Sequence, residues 1–542
     1  MKFCALLVAL GLLTPVSLAA RDDEPHHHEE LTETQLGTVH FPSSCQTAVE
    51  KPIERGVAML HSFWYEEAEK EFEQIEKSDP GCAIAHWGLA MSLWHQLWNR
   101  PDMATLERGG SELEKAGALS ATPREKDYIA ALAAFYAHPK RPYSKRVAAY
   151  SNAMAQVYKR QANDHEAAAF YALSLLAAEP AHDRNNQYRK RAAQVLEALF
   201  REEPNHPGVA HYLIHDYDKP GMAREGLAAA RRYAEIAPAA PHALHMPAHI
   251  FARLGLWQDD IDSNVRSIEA TQKEAQEHMG GEGHQFHAMD FLVYAYLQTG
   301  REEEARKIID EVRAMPAMHD MYGMGFDPRF FALSVFPASY ALELHRWNDA
   351  AQLELVSGAG DYDQSLTLTA RAIGAARGGS PGEARKDIAQ LEGIREKFAS
   401  DKKNQGPYDG VTDELRVARA WLAFAEGKHE KAVRLLARVG GEEGEAEASQ
   451  LIPKHEMIAD MLLEAGRAPE ALREYEASLE TDPGRFDSLY GAALAAEKAG
   501  RHDKANQYYA ALVKNCERAT SERSELKLAR ARASVEANAA SP

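Results

Sequence analysis

A spacing of 34 residues constrains this 542-residue chain more than any other feature. Gly466, Ala471 and Tyr475 recur as Gly500, Ala505 and Tyr509, and Pro483 closes the first of these units. Related patterns run back along the chain: Gly427 with Ala432 and Leu436, Gly379 with Ala384 and Ile388, Gly300 with Ala305 and Ile309, Gly221 with Gly226 and Pro238, and Ala68 with Phe72 and Pro80. A weaker unit centres on Ala350, with Glu354 in place of an apolar residue. A repeat of this length suits a pair of helices with an apolar side that it cannot bury alone. Such a unit must stack on copies of itself.

A small residue between two helices, an Ala early in the second, an aromatic four residues later and a closing Pro together resemble the tetratricopeptide repeat. The resemblance covers about 470 residues; it is most specific over Leu451 to Leu512 and loosest between Pro101 and Pro204. It implies an all-α fold, a right-handed α-solenoid of helical hairpins. The chain is similar overall to secreted bacterial members of undefined activity. The expected division is a signal peptide at 1–19, an extended N-terminal segment at 20–47 and the main array at 48–439, with a His-rich concave region at 206–290. An acidic loop at 440–450, a regular C-terminal pair of repeats at 451–517 and a capping helix with tail at 518–542 complete it. Phe398 to Thr412, with Asn404-Gln405-Gly406-Pro407, is a further candidate break.

The leader carries Lys2, an apolar run from Ala5 to Leu13 and the small-x-small triplet Ser17-Leu18-Ala19, the pattern of a cleaved secretory signal. A periplasmic or extracellular location is expected, with no membrane span after cleavage. Cleavage leaves Cys45, Cys82 and Cys516. In an oxidising compartment the expected bridge is Cys45 to Cys82, across the Asp79-Pro80-Gly81 turn, and two buried thiols are the alternative. The formal net charge of −19 argues against a nucleic-acid partner, which needs a basic face to displace phosphate counterions.

Nine of the 24 histidines fall between His206 and His287, where a uniform spread would place about four. His211 with His215, and His245 with His249, are the only i, i+4 pairs, and 34 residues separate each from its counterpart. At 100° per residue His215 lies 40° from His211, away from Ala210, Leu213, Ile214 and Tyr217, so the imidazoles leave the inter-helix seam. The same arithmetic groups His242, His245 and His249. In the repeat family this stripe of the first helix faces the concave groove, so the resemblance implies one histidine wall. Aligned through Gly300, the next first helix presents His287 beside His242, and Asp290 where His211 and His245 stand; His284 precedes them in the Gly280 to Gly283 loop.

Two imidazoles one turn apart can hold one metal ion, and helices packed 8 to 10 Å apart allow neighbours to share it. The candidate ligand set is His211, His215, His245, His249, His287 and Asp290, within a groove that also includes His242 and His284. Asp216, Asp218, Tyr212 and Tyr217 are candidates for the outer shell. A divalent transition metal, Zn, Cu, Fe or Ni, suits this chemistry. Two functions remain open. One is a scaffold binding a protein or peptide on its concave face, with the histidines as polar contacts. The other is a metalloprotein, with activation of a metal-bound water as its enzymatic form. Met315, Met318, Met321 and Met324, with His319, add a thioether cluster suited to Cu(I) or to core filling. Phe63, Trp64, Trp87, Trp94 and Trp98 read as packing residues. The sequence leaves the oligomeric state open.

Overall fold

Small residues set how closely the helices pack. A Cβ on Gly491 would come within 2.2 Å of the Tyr475 ring, and one on Gly88 within 2.2 Å of the Phe72 ring. The aromatic of one hairpin's second helix thus fits a notch in the first helix of the next hairpin, which is the physical content of the repeating small and aromatic positions. The computed structural model describes residues 31–97, 100–180, 183, 185–276, 282–317, 327–400, 405–440 and 452–539, and among these every regular element is helical.

Hairpins follow one another from Glu50–His61 with Tyr65–Ser78 to Phe486–Lys498 with His502–Asn515, and Ser524–Ala539 packs on the end. The fold is an all-α helical-repeat solenoid. The stretch of loosest resemblance still forms hairpins, Pro123–Tyr136 with Tyr143–Arg160 and His165–Ala177 with Gln187–Glu202. The weak unit around Ala350 has a second helix of only five residues, Trp347–Ala351, and Glu354 lies beyond it. Gln405–Ala425 begins inside the Phe398 to Thr412 stretch and takes Pro407 into its first turn, where a missing N–H costs no helical bond. The leader, most of the acidic loop and residues 318–326 of the methionine cluster lie outside the described residues.

The array curls until distant hairpins meet. The helix Glu50–His61 packs on Pro207–Tyr217, where Gly208 approaches so closely that a Cβ would lie 2.4 Å from His61 Nδ1. The N-terminal segment follows the same seam: Thr38 N–H donates to the Asn205 carbonyl and Ala239 N–H to that of Gln35. The Cys45–Cys82 disulfide fastens this segment to the start of the helix Ala83–Ser92, with Cα atoms 4.9 Å apart. Cys516 is a buried free thiol.

At the other end, the turn before Phe486 docks on the middle of the chain. Gly255 has φ +64°, and a Cβ there would meet the Pro483 carbonyl oxygen at 2.3 Å. Trp257 Nε1 donates to the Gly484 carbonyl, and the Gln298 side chain accepts from Phe486 N–H. Arg485, fully buried, joins Glu343, Glu456 and the Tyr294 hydroxyl. The histidine-rich helices lie between these two closures, where one continuous apolar core ends near Phe251 and the next begins at Trp257.

Candidate metal centre

Three first helices carry the histidines: Pro207–Tyr217, the pair Pro241–His245 and Pro247–Arg253, and Glu282–Gln298. Pro247 has no N–H to give, so the middle helix breaks into two pieces although Met246 keeps helical dihedrals. The expectation that His242, His245 and His249 form one group is corrected. His242 joins the preceding helix, and His287 joins His245 and His249 rather than standing beside His242.

Two trios result. The ring nitrogens of His211, His215 and His242 lie within 4.8 Å of one another, as do those of His245, His249 and His287. Each trio combines an i, i+4 pair from one repeat with a single histidine from the next. A shift of 34 residues maps one pair onto the other, and the single histidines are 45 apart because the second repeat carries an insertion. The trios adjoin: the His215 and His249 ring centroids are 6.5 Å apart, and those of His242 and His245 6.2 Å.

The wall expected to face an open groove is interior. His211, His215, His242, His245 and His249 are between 0% and 3% exposed, and only His287 is exposed. The reason is the curl of the array, which lays the turn after His61 over the first trio. Phe63 packs on His211, His215 and His242 at centroid distances of 4.3, 5.6 and 5.7 Å. It does so with φ +54°, a backbone conformation that a bulky residue adopts only when its surroundings dictate it. Phe291 covers the second trio in the same way, 5.0, 4.7 and 5.3 Å from His245, His249 and His287.

Hydrogen bonds at the far nitrogens fix the tautomers. Asn264 Nδ2 donates to the Asp260 carbonyl and side chain, so its Oδ1 faces His245 Nδ1 at 2.7 Å and can only accept. His249 Nδ1 lies 2.8 Å from Asp218 Oδ2, and Arg253 Nε holds the other carboxylate oxygen at 3.0 Å. Burial alone would raise the Asp218 carboxyl, but His249 and Arg253 outweigh it and hold it below the usual carboxylate range. Both rings therefore carry a proton on Nδ1, and their Nε2 atoms face each other across 3.0 Å. His249 Nε2 also lies 3.3 Å from His287 Nε2.

In the first trio His211 Nδ1 donates to the His61 carbonyl at 2.7 Å, which leaves a lone pair on its Nε2. That one lone pair faces both His242 Nε2 at 3.0 Å and His215 Nε2 at 3.1 Å. Burial, reinforced by His215, holds the His211 imidazole well below its ordinary pKa, so it is neutral. This is the arrangement of metal-binding imidazoles, where the second nitrogen is fixed by a carbonyl or carboxylate so that the first can donate.

Asp290 is buried on the helix of His287, and the two trios themselves consist of imidazoles alone. Its register position is occupied by histidines in the two preceding repeats, but the split at Pro247 changes which side chains converge. His284 lies in the first turn of Glu282–Gln298, not in a loop, and its side chain is outside the described residues. Of the outer-shell candidates Asp218 holds a trio histidine directly, whereas Tyr212 bonds His61 at 2.8 Å and Tyr217 bonds Glu197. The Asp216 carboxyl, buried without a hydrogen-bond partner, is pushed up to about 8 by that burial.

Sequence reasoning missed His61, Phe63 and Asn264. A third group, His61, Glu166 and His206, sits behind the first trio, with Glu166 bonded to His61 at 2.6 Å and to His206 at 3.0 Å. Burial would raise the Glu166 carboxyl, yet the two imidazoles hold it low, and His61 is itself kept neutral by burial. These contacts already satisfy the carboxylate, so the group reads as a hydrogen-bonded brace for the His61 carbonyl that orients His211.

The tetratricopeptide-repeat family model matches residues 65–104 and 456–521. No curated protein matches the chain. Among solved structures, the tetratricopeptide domain of P58(IPK) is 14% identical, covering 69% of this chain and 99% of that one with a TM-score of 0.21. A human IFIT1 dimer solved with PPP-AAAA is 12% identical, covering 85% of this chain and 89% of that one with a TM-score of 0.35. The two matched stretches are therefore tetratricopeptide repeats, set within the stacked helical hairpins of the rest of the chain.

Proposed function

We propose that this protein binds transition-metal ions, using a helical-repeat scaffold to hold two sets of three imidazoles. The observation that carries this reading is the pair His245 and His249. Their Nδ1 protons are committed to Asn264 and Asp218, which turns their Nε2 atoms toward each other at 3.0 Å. A metal ion set against both nitrogens would also draw in His287, whose Nε2 lies 3.3 Å from that of His249. Zn, Cu, Ni and Fe all accept imidazole. Three protein donors leave a coordination position for water or substrate, the composition of catalytic rather than structural sites. In the alternative scaffold reading, the histidines touch a peptide. Burial of five of them behind Phe63 and Phe291 weighs against that use and leaves partner contact to other surfaces.

A periplasmic or extracellular setting belongs to the same proposal, supported by the leader pattern and by the Cys45–Cys82 bond. Elemental analysis of tag-free protein, dialysed against each metal and then against metal-free buffer, tests the reading. The expected result is near-stoichiometric retention that falls in His211→Ala and in His249→Ala. Protein that retains no metal, or variants that retain as much as the parent, would overturn it.

A further inference from the structure

The two trios differ from most two-metal sites in having no carboxylate among their donors. Every donor of the two trios is an imidazole, which brings no charge when it binds a metal; five of the six are almost completely buried, and Asp218, which bonds the His249 ring, is already shared with Arg253. Charge then decides which ions fit. Two divalent ions would bring four positive charges into this setting, and burial of uncompensated charge is the most costly step available. Two Cu(I) ions bring half that charge. They also accept three-coordinate imidazole sites, which the trios supply twice over in repeated register.

Resting on the metal-binding reading above, we propose that the trios form a coupled pair of copper sites that takes dioxygen between them. The adjoining rings, His215 with His249 at 6.5 Å and His242 with His245 at 6.2 Å, place the two sets of donors side by side. Each set leaves a coordination position open. Each Cu(I) gives one electron, O2 takes both and becomes a bound peroxide dianion, and two Cu(II) result; no proton or further reductant is consumed. The net charge of metals and ligand is +2 before and after. The buried imidazoles therefore meet a total charge of about +2 in both states, half that of two Zn ions with no bound anion. Phe63 and Phe291 cover the trios with apolar rings, and the exposed His287 marks the side from which a small gas molecule reaches them.

The test loads full-length metal-free protein with two equivalents of Cu(I) under argon and then admits oxygen. The expected outcome is two coppers per chain, uptake of one O2 per pair, a strong near-ultraviolet charge-transfer band, and no Cu(II) signal by electron paramagnetic resonance because the two spins couple. His287→Ala, which alters the one exposed ligand, should retain half the copper and lose oxygen uptake. Two coppers that give a full-intensity uncoupled signal, or that take up no oxygen, would overturn the pair while leaving metal binding intact. Stoichiometric zinc with copper refused would do the same. Failure to hold any metal would remove the reading on which the proposal rests.

Discussion

His245 and His249 face each other Nε2 to Nε2 at 3.0 Å, while Asn264 and Asp218 hold the opposite nitrogens of the two rings. The pairing is a consequence of sequence, because residues four apart on a helix project from one face. The direction in which the Nε2 atoms point is a consequence of tertiary structure, because Asn264 comes from the helix Trp257–Gln276 and Asp218 from the end of the preceding repeat.

Asp218→Asn should reverse the His249 tautomer. Arg253 would keep the amide oxygen, turning the amide nitrogen toward His249 Nδ1, so the ring proton must move to Nε2. Metal affinity at the second trio is expected to fall ~10- to 100-fold, as for other outer-shell losses. Calorimetric titration should show one weakened site and one unchanged site.

Phe63→Ala removes a fully buried ring that covers the first trio. The expected cost is ~3–5 kcal/mol for the cavity. Metal at His211, His215 and His242 should become labile to a chelator while metal at the second trio stays. Release kinetics and thermal unfolding measured together would check both parts.

Arg485 ties the C-terminal repeats to the middle of the chain through Glu343, Glu456 and Tyr294. Arg485→Met leaves buried carboxylates without their cation and should destabilise that junction by ~3–5 kcal/mol. Adding Glu343→Gln and Glu456→Gln should restore much of the loss. A scan by calorimetry should show the C-terminal unit melting ahead of the rest in the single variant and rejoining it in the triple.

Glu414 is pushed up to about 7 by burial, against the Ser365 and Thr369 hydroxyls that favour its charge, and its ordinary value is 4.5. Between those two values the folded chain holds a proton that the unfolded chain has released. Stability from this group is therefore greatest below pH 4.5 and declines as pH rises to about 7, by about 3 kcal/mol in all. Glu414→Gln should be more stable than the parent at pH 8 and should lack this component of the slope. Denaturant midpoints at pH 5 and 8 would measure it.

The 34-residue recurrence of Gly466, Ala471 and Tyr475 carried the repeat fold, because close helix packing needs small and aromatic residues at fixed places. The same register marked His211, His215, His245 and His249 as members of one wall. What it could not carry was the curl that brings His61 and Phe63, some 150 residues earlier, onto His211. Gly208 signals a close approach at that point, but spacing along the chain does not say which helix approaches. Pro247 was visible in the sequence, yet treating its helix as unbroken put His242 with His245. Exposure was misjudged for the same reason, since a single hairpin's outer face becomes interior once the array closes on itself.

The central claim is that six imidazoles hold metal as two trios. Anomalous diffraction, recorded above and below the absorption edge of the bound metal on crystals of the loaded protein, tests it most directly. The account predicts two peaks, one bounded by the Nε2 atoms of His211, His215 and His242 and the other by those of His245, His249 and His287. Loaded crystals with no peak among these six rings, or with metal only at His61, Glu166 and His206, would contradict it.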